Sequence, residues 1–400
     1  MKWLFKPLLT CLLLGAWIAP GYALLDELRL YDLFGTEGEE WKLFSQAMDG
    51  DDKAWKTLKQ SAAQGDAMAQ CTLGVMYRDG YGVQRDRAQA RYWFEKAAAQ
   101  GVAAVQNYLG DIYYRGDLDL DGQKDYAQAR NWYEKAAAQG IADAQFSLGA
   151  MYYDGEGVQQ DYVQARRWYE KAAAQGHGYA QYYLGVLYDN GYGVQQDYVQ
   201  ARRWYEKAAA QGNVDAQNNL GEMYRDGKGV RQDYVQARRW FEKAAETPLA
   251  RWGVGREAAF NLGLMYFNGQ GVRQDYAQAR RWYEKAAAQG DAAAQYNLGL
   301  MYARGQGVRQ DYAQARRWYE QAAAQGDAKA QNNLGVMYEN GQGVRQDYAQ
   351  ARRRGVRRRS TTWVCCIAMV KEYSKTMHRR EAGLRKPLHR GKRWRRTTWA

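Results

Sequence analysis

The feature that most constrains this 400-residue chain is internal repetition. Ile141 to Gly176 reads IADAQFSLGAMYYDGEGVQQDYVQARRWYEKAAAQG, and comparable stretches begin at Asp66, Val102, His177, Asn213, Gly255, Asp291 and Asp327. In chain order the start-to-start spacings are 36, 39, 36, 36, 42, 36 and 36 residues. A regular period of roughly 20 to 50 residues means a solenoid, propeller or array, because each copy is one supersecondary unit whose apolar face only a neighbour can cover.

Each unit reads as two helices. In the first, helix A, Ala144, Leu148, Met151 and Tyr152 fall at i, i+4, i+7 and i+8, one face of a helix with about 3.6 residues per turn. Gly155, Gly157 and Val158 then interrupt the pattern, since glycine reaches backbone angles closed to other residues. Asp161 with Gln164 three residues on is the pattern of a capping box, in which the carboxylate accepts from free N–H groups and the glutamine reaches back. Helix B follows. Its inward face is expected to be Tyr162, Ala165, either Trp168 or Tyr169, Ala172 and Ala173, with Gly176 placed for a left-handed C-terminal cap. The fold class expected is all-α, a solenoid of helix-turn-helix repeats.

The consensus AxAQxxLGxMYxxGxGVxQDYxQARRWYEKAAAQG resembles the Sel-1-like repeat, a relative of the tetratricopeptide α/α repeats. The resemblance covers Asp66 to about Arg352, with seven full copies and a truncated eighth. It implies a right-handed α/α superhelix acting as an adaptor or scaffold in protein–protein interaction, with bacterial members often exported. Some exported relatives carry a disulfide in each repeat and are linked to β-lactam binding; this chain has no such paired cysteines.

Around the repeats, Met1 to Ala23 carries Lys2 and Lys6, an apolar run from Pro7 to Ile18, and Gly21-Tyr22-Ala23 where a signal peptidase reads. It is expected to be a cleaved secretory signal, its apolar run being shorter than the roughly 20 residues of a spanning helix. Lipidation at Cys11 is the weaker alternative. Residues 24–65 are expected to cap the stack, ending in an atypical helix B from Asp51 to Gly65. In the second copy Asp117, Asp119 and Asp121, with Gly122 and then Asp125, have the alternation of a calcium loop, although Gln128 stands where a bidentate glutamate belongs. The alternative is a solvated acidic loop. The fifth copy ends in an insertion, Thr247 to Val254, in which Pro248 is expected to stop helix B and Trp252 to plug the repeats or meet a partner.

The eighth copy fails at Arg353, where WYEKAAAQG gives way to a basic tail. Back-translated and read from the third base of each codon, Trp363 to Tyr373 permits L-G-V-L-Y-R-N-G-Q-G-V, which is helix A with its loop. Residues 353–400 therefore read as repeat sequence translated out of frame. That changes the electrostatics. The tail holds 16 Lys and Arg against 2 Glu, so setting it and the two leader lysines aside takes the formal charge from +13 to −3. Nucleic acid is accordingly not expected as a partner, and the Arg166-Arg167 pairs with Glu170 read as a solvated helix face.

Catalysis is hard to assemble. His177 is the only histidine within the repeats, which leaves no serine-type triad and no histidine zinc site. It occupies a helix-start position held elsewhere by Asp66 or Asp291 and reads as a cap. Cys71 is the only cysteine between Ala23 and Arg353, so there is no disulfide framework.

Binding is easier to place. The residues five, nine and twelve after each unit start vary between copies, and spacings of four and three put them on one face of helix A. That face begins with Cys71, Val75 and Arg78. Its partner-binding candidates are Tyr114, Phe146, Tyr153, Tyr182, Asp189, Glu222, Arg225, Phe260, Phe267 and Tyr296, aromatic patches alternating with polar ones. In the repeat type it resembles, the A helices line the concave side, where aromatic anchors suit a peptide or protein. The alternative is that the aromatic residues pack against neighbouring helices. The expected function is an exported, periplasmic or secreted, non-enzymatic scaffold. It is expected to be a monomer with no cofactor unless calcium, and no transmembrane segment once the signal is removed. The rival is a cell-wall enzyme or binder active on β-lactams or peptidoglycan.

Overall fold

The computed structural model describes residues 39–117, 122–247 and 255–353. The leader, Asp119, Asp121, Pro248, Trp252 and the basic tail lie outside these residues. Eighteen helices and no strand are found among the described residues. A hairpin of α1 (Glu39–Met48) and α2 (Asp52–Ala63) precedes the repeats. Copies one to four are α3 (Ala67–Asp79) with α4 (Arg87–Ala99), α5 (Ala103–Arg115) with α6 (Tyr126–Ala138), α7 (Ala142–Asp154) with α8 (Tyr162–Ala174), and α9 (Gly178–Asn190) with α10 (Tyr198–Ala210). Copies five to eight are α11 (Val214–Asp226) with α12 (Tyr234–Ala245), α13 (Arg256–Asn268) with α14 (Tyr276–Ala288), α15 (Ala292–Arg304) with α16 (Tyr312–Ala324), and α17 (Ala328–Asn340) with α18 (Tyr348–Arg353). The described residues divide into two compact units, one ending at Gln274 and the other starting at Asp275. No helix among them is long and apolar enough to cross a membrane.

Local chemistry sets the helix ends. Asp161 Oδ1 accepts from the N–H groups of Val163 at 2.9 Å and Gln164 at 3.0 Å, starting α8. The capping box is only half realised, because the Asp161 N–H goes to the Tyr152 carbonyl at 2.9 Å and not to Gln164. That bond ties the start of helix B to the last turn of helix A. At the other end of α8, Gly176 takes φ 89° while His177 N–H reaches the Ala172 carbonyl at 3.2 Å and Gly176 N–H the Ala173 carbonyl at 3.0 Å, a Schellman stop. The loop glycines do two jobs. Gly157 sits at φ 67°, and a Cβ there would stand 2.4 Å from Tyr126 Cβ at the start of the preceding helix B.

The core is shared between successive copies. Ala165, Tyr169 and Ala172 of α8 pack with Ala180, Leu184 and Leu187 of α9, and Ala201, Tyr205 and Ala208 of α10 with Ala216, Leu220 and Met223 of α11. Each fully buried leucine or methionine contributes about 1.5–3 kcal/mol, and none is covered until the next copy is in place. Of the two aromatics considered for burial in helix B, Tyr169 is chosen, fully enclosed; Trp168 stays half-exposed beneath the Lys171 ammonium at 3.9 Å. The tyrosine ring lies flat on Gly149, where a Cβ would be 2.5 Å from two ring carbons.

A polar clasp between a buried helix A glutamine and an exposed helix B glutamine runs along the same layer. Gln181 Nε2 donates to the Ala173 carbonyl of the preceding copy at 3.4 Å, and Gln181 Oε1 accepts from Gln211 Nε2 at 2.8 Å. Gln70 with Gln100, Gln106 with Gln139, Gln145 with Gln175 and Gln295 with Gln325 repeat the arrangement. On either side of the insertion Thr247 and Ala259 stand where the glutamines would be.

Two helix contacts bear on which face is available. The A helices α9 and α11, and α11 and α13, approach one another directly, and among the described residues no two B helices do so to the same degree. At the start of the repeats α1 also leans on α3, and Cys71, Val75 and Arg78 are buried in the core that contains Phe44 and Ala47. These three therefore belong to the interior, a correction to the expected face that arises because the leading hairpin covers it. Burial pushes the Cys71 thiol up to about 12. With almost no thiolate at neutral pH, Cys71 is expected to resist iodoacetamide in the native protein and to react in denaturant. Peptide-resolved mass spectrometry checks this, and native labelling of Cys71 within minutes would contradict the packing.

Candidate binding face

Most of the expected face residues are half-buried, partners of the next copy as well as occupants of a surface. A rule of register emerges. The residue twelve after a unit start meets the residue six after the start of the following unit. Arg78 Nη1 donates to the Tyr108 hydroxyl at 2.8 Å, Arg225 Nη1 to Asn261 Oδ1 at 2.9 Å, and Tyr153 stands edge-on to Tyr183 with ring centroids 5.4 Å apart. The second partner in each case was not among the expected residues. The signal was available, because that position also varies between copies.

The polar candidates are drawn into these braces. Asn261 Nδ2 donates to Asn218 Oδ1 at 3.2 Å and to Glu222 Oε1 at 3.3 Å, while Arg225 Nε pairs with Asp226 at 2.7 Å. Glu222 and Arg225 thus hold copies five and six together. Asp189 accepts from the Tyr205 hydroxyl at 3.3 Å, and burial pushes its carboxyl above the usual range. Tyr114 donates to Glu156 of the next copy, as does Tyr126 at 2.8 Å; the Tyr114 bond, with that from Tyr126, holds the Glu156 carboxyl below its usual range.

The aromatic candidates gather in copies three and four. Phe146 stacks on His177 at 4.7 Å and lies 5.7 Å from Tyr169 and 5.9 Å from Tyr183, and Tyr182 sits 5.9 Å from Tyr205. Tyr179, 59% exposed, borders the same patch 6.2 Å from Phe146. His177 is the expected cap, its Nδ1 accepting from Ala180 N–H at 3.1 Å, and its Nε2 faces Asp143 at 3.1 Å. Farther along the first unit, Phe260 and Phe267 of α13 are half-exposed. In the second unit Tyr296 is half-buried against Tyr319 at 5.8 Å.

Of the expected calcium ligands, Asp117 lies 3.7 Å from Arg115 Nε, and Asp125 caps α6 by accepting from Gln128 N–H at 3.0 Å. A cation there would compete with both. On the B helices Arg166 pairs with Glu170 at 3.7 Å and Arg167 is exposed, as a solvated face requires.

Paired helices with a shared core and a varied, half-open A-helix face define an α/α repeat protein of the protein-interaction class. The Sel1 repeat profile matches residues 67–102, 103–141, 142–177, 178–213, 214–246, 256–291, 292–327 and 328–353, more than half of the chain, and the chain belongs to the Sel1 repeat family. Its fold resembles that of a protective antigen present in uropathogenic Escherichia coli strains and displaying an SLR fold, with 39% identity and TM-score 0.66 over 74% of this chain and 62% of that one. It is also similar to a Sel1 repeat protein of Oxalobacter formigenes, at 32% identity and TM-score 0.61 over 85% of this chain and 92% of that one. The ERAD-associated E3 ubiquitin-protein ligase component HRD3A of Arabidopsis thaliana is 34% identical over 83 residues, which are 20% of this chain and 12% of that protein. The chain thus spans about an eighth of that curated relative, and somewhat under two thirds of the antigen.

Proposed function

We infer that this protein is an exported, non-enzymatic scaffold that binds a peptide or protein partner along its A-helix face. The observation that carries the reading is the contrast within the repeat: core positions recur from copy to copy, while half-exposed positions on the same helices change. Within the first unit, the direct approach of α9 to α11 and of α11 to α13 supports a face on which neighbouring A helices can present side chains to one ligand. Export, to the periplasm or beyond, rests on the leader at 1–23.

Peptide display on the purified protein is expected to enrich a single sequence family. Replacing Phe260 and Phe267 by alanine is expected to weaken its binding about tenfold or more, the loss of one to two aromatic anchors. The melting temperature should stay close to the parent's, since both rings are half-exposed. Absence of any enriched family, or hydrolysis of a chromogenic β-lactam by the same preparation, would overturn the reading.

A further inference from the structure

Tyr169 differs from its counterparts in the other copies. Its ring position is a tyrosine in copies two, three, four, six and seven and a phenylalanine in copies one and five, and in the other four tyrosine copies the hydroxyl is served. Tyr133 donates to Asp111 Oδ1 at 2.7 Å and Tyr205 to Asp189 Oδ2 at 3.3 Å, while Asn297 and Asn333 bond Tyr283 and Tyr319. The positions that supply those partners, nine and twelve after the unit start and six into the next, are held in copy three by Ala150, Tyr153 and Tyr183. Tyr169 is 0% exposed and its hydroxyl has no hydrogen-bond partner. A buried polar group left this way asks for a partner that the chain itself does not supply.

The surroundings select the partner's charge. The Tyr169 centroid lies 5.7 Å from Phe146, 6.5 Å from Tyr153 and 5.3 Å from Tyr183, so the hydroxyl ends among aromatic rings whose faces are electron-rich. Beside burial, the charge of Asp154 pushes up the hydroxyls of Tyr153, Tyr169 and Tyr183 and that of Asp215 the hydroxyl of Tyr183, so both carboxylates lie near the rings. Burial pushes the carboxyls of Asp154 and Asp215 up. An anion is repelled by this field, and an aliphatic side chain leaves the hydroxyl unmet.

We propose that the slot between copies three and four takes the cationic side chain, lysine or arginine, of a partner polypeptide. The cation lies against the rings of Phe146, Tyr153 and Tyr183, donates to the Tyr169 hydroxyl oxygen and faces Asp154. Tyr153 and Tyr183, both half-exposed, swing to admit it. This deepens the peptide-binding reading above and rests on it.

The test is fluorescence anisotropy with the full-length protein and a short labelled peptide carrying lysine between leucines, set against its acetyl-lysine twin. The lysine peptide is expected to bind about tenfold tighter or better, the scale of a desolvated cation–π contact. Tyr169→Phe and Asp154→Asn should each remove most of that preference, whereas Glu257→Gln, an equal change of charge in copy six, should leave it. Tyr169→Phe should also keep the parent melting temperature, while Tyr205→Phe, which loses a made hydrogen bond, should lower it. Equal binding of the twins would overturn the cation assignment and leave a groove for apolar peptides. A lysine preference untouched by Tyr169→Phe and Asp154→Asn would place the cation elsewhere and overturn the slot. Binding of neither twin would overturn the proposal, while the peptide-display selection decides the broader reading separately.

Discussion

Gly185→Ala is expected to destabilise the protein by about 2 kcal/mol, against the direction that helix propensity predicts. Alanine is the better helix former by about 1 kcal/mol, so in an exposed helix the change would help. Here the added Cβ would stand 2.5 Å from Cδ1 and Cε1 of Tyr205. That ring is 0% exposed and packed with Leu220 and Met223 of the next copy, which leaves it nowhere to go. Overpacking of a tight core costs about 1–3 kcal/mol, and a contact this short belongs at the upper end. Urea denaturation followed by circular dichroism measures the loss, and Tyr205→Leu in the Gly185→Ala background should recover part of it by freeing space. A variant as stable as the parent would mean that the helix pair is not in contact at this glycine. The same argument applies at Gly149 under Tyr169 and Gly299 under Tyr319.

The second large effect belongs to the glutamine clasp. Gln181→Leu keeps the volume of the side chain and removes two hydrogen bonds, one to the Ala173 carbonyl, which keeps the Gly176 N–H, and one from the exposed Gln211 amide. A made hydrogen bond contributes a net of about 0.5–1.5 kcal/mol, and a loss of about 1 kcal/mol is expected. Gln181→Leu with Gln211→Leu should cost less than the sum of the single changes, by about 0.5 kcal/mol, since both single changes remove the same hydrogen bond. Strict additivity would show that the two glutamines do not meet. The chain already contains a related pair of changes, because Thr247 and Ala259 stand at the clasp positions where the insertion separates copies five and six. Within the regular copies the clasp links each B helix to both flanking A helices.

Much of this was legible in the amino-acid order. The period of 36 residues, the cap at Asp161, the glycine stops at Gly155 and Gly176 and the inward Leu148 and Met151 follow from local rules, because helix starts, stops and apolar spacing depend on residues within a turn or two of each other. The second hand of the capping box was not legible. Whether Gln164 or the Tyr152 carbonyl takes the Asp161 N–H depends on where helix A ends in space.

Order along the chain also settled that one hairpin must be covered by the next, since its apolar residues fill a face that no second layer within the copy could close. It could not choose between Trp168 and Tyr169, which are adjacent and both large. Only the approach of Gly149 from one side and of the next copy's Leu184 and Leu187 from the other made the tyrosine the buried ring. In the same way Glu222, Arg225 and Tyr153 looked equally free, all being variable residues on one helical face. The tertiary structure turned the first two into a brace on Asn261 and left the third among rings around an unserved hydroxyl. The physical reason is the same for each: spacing assigns a side chain to a face, but what waits opposite that face is supplied by a residue some 30 positions away, and that residue is what differs from copy to copy.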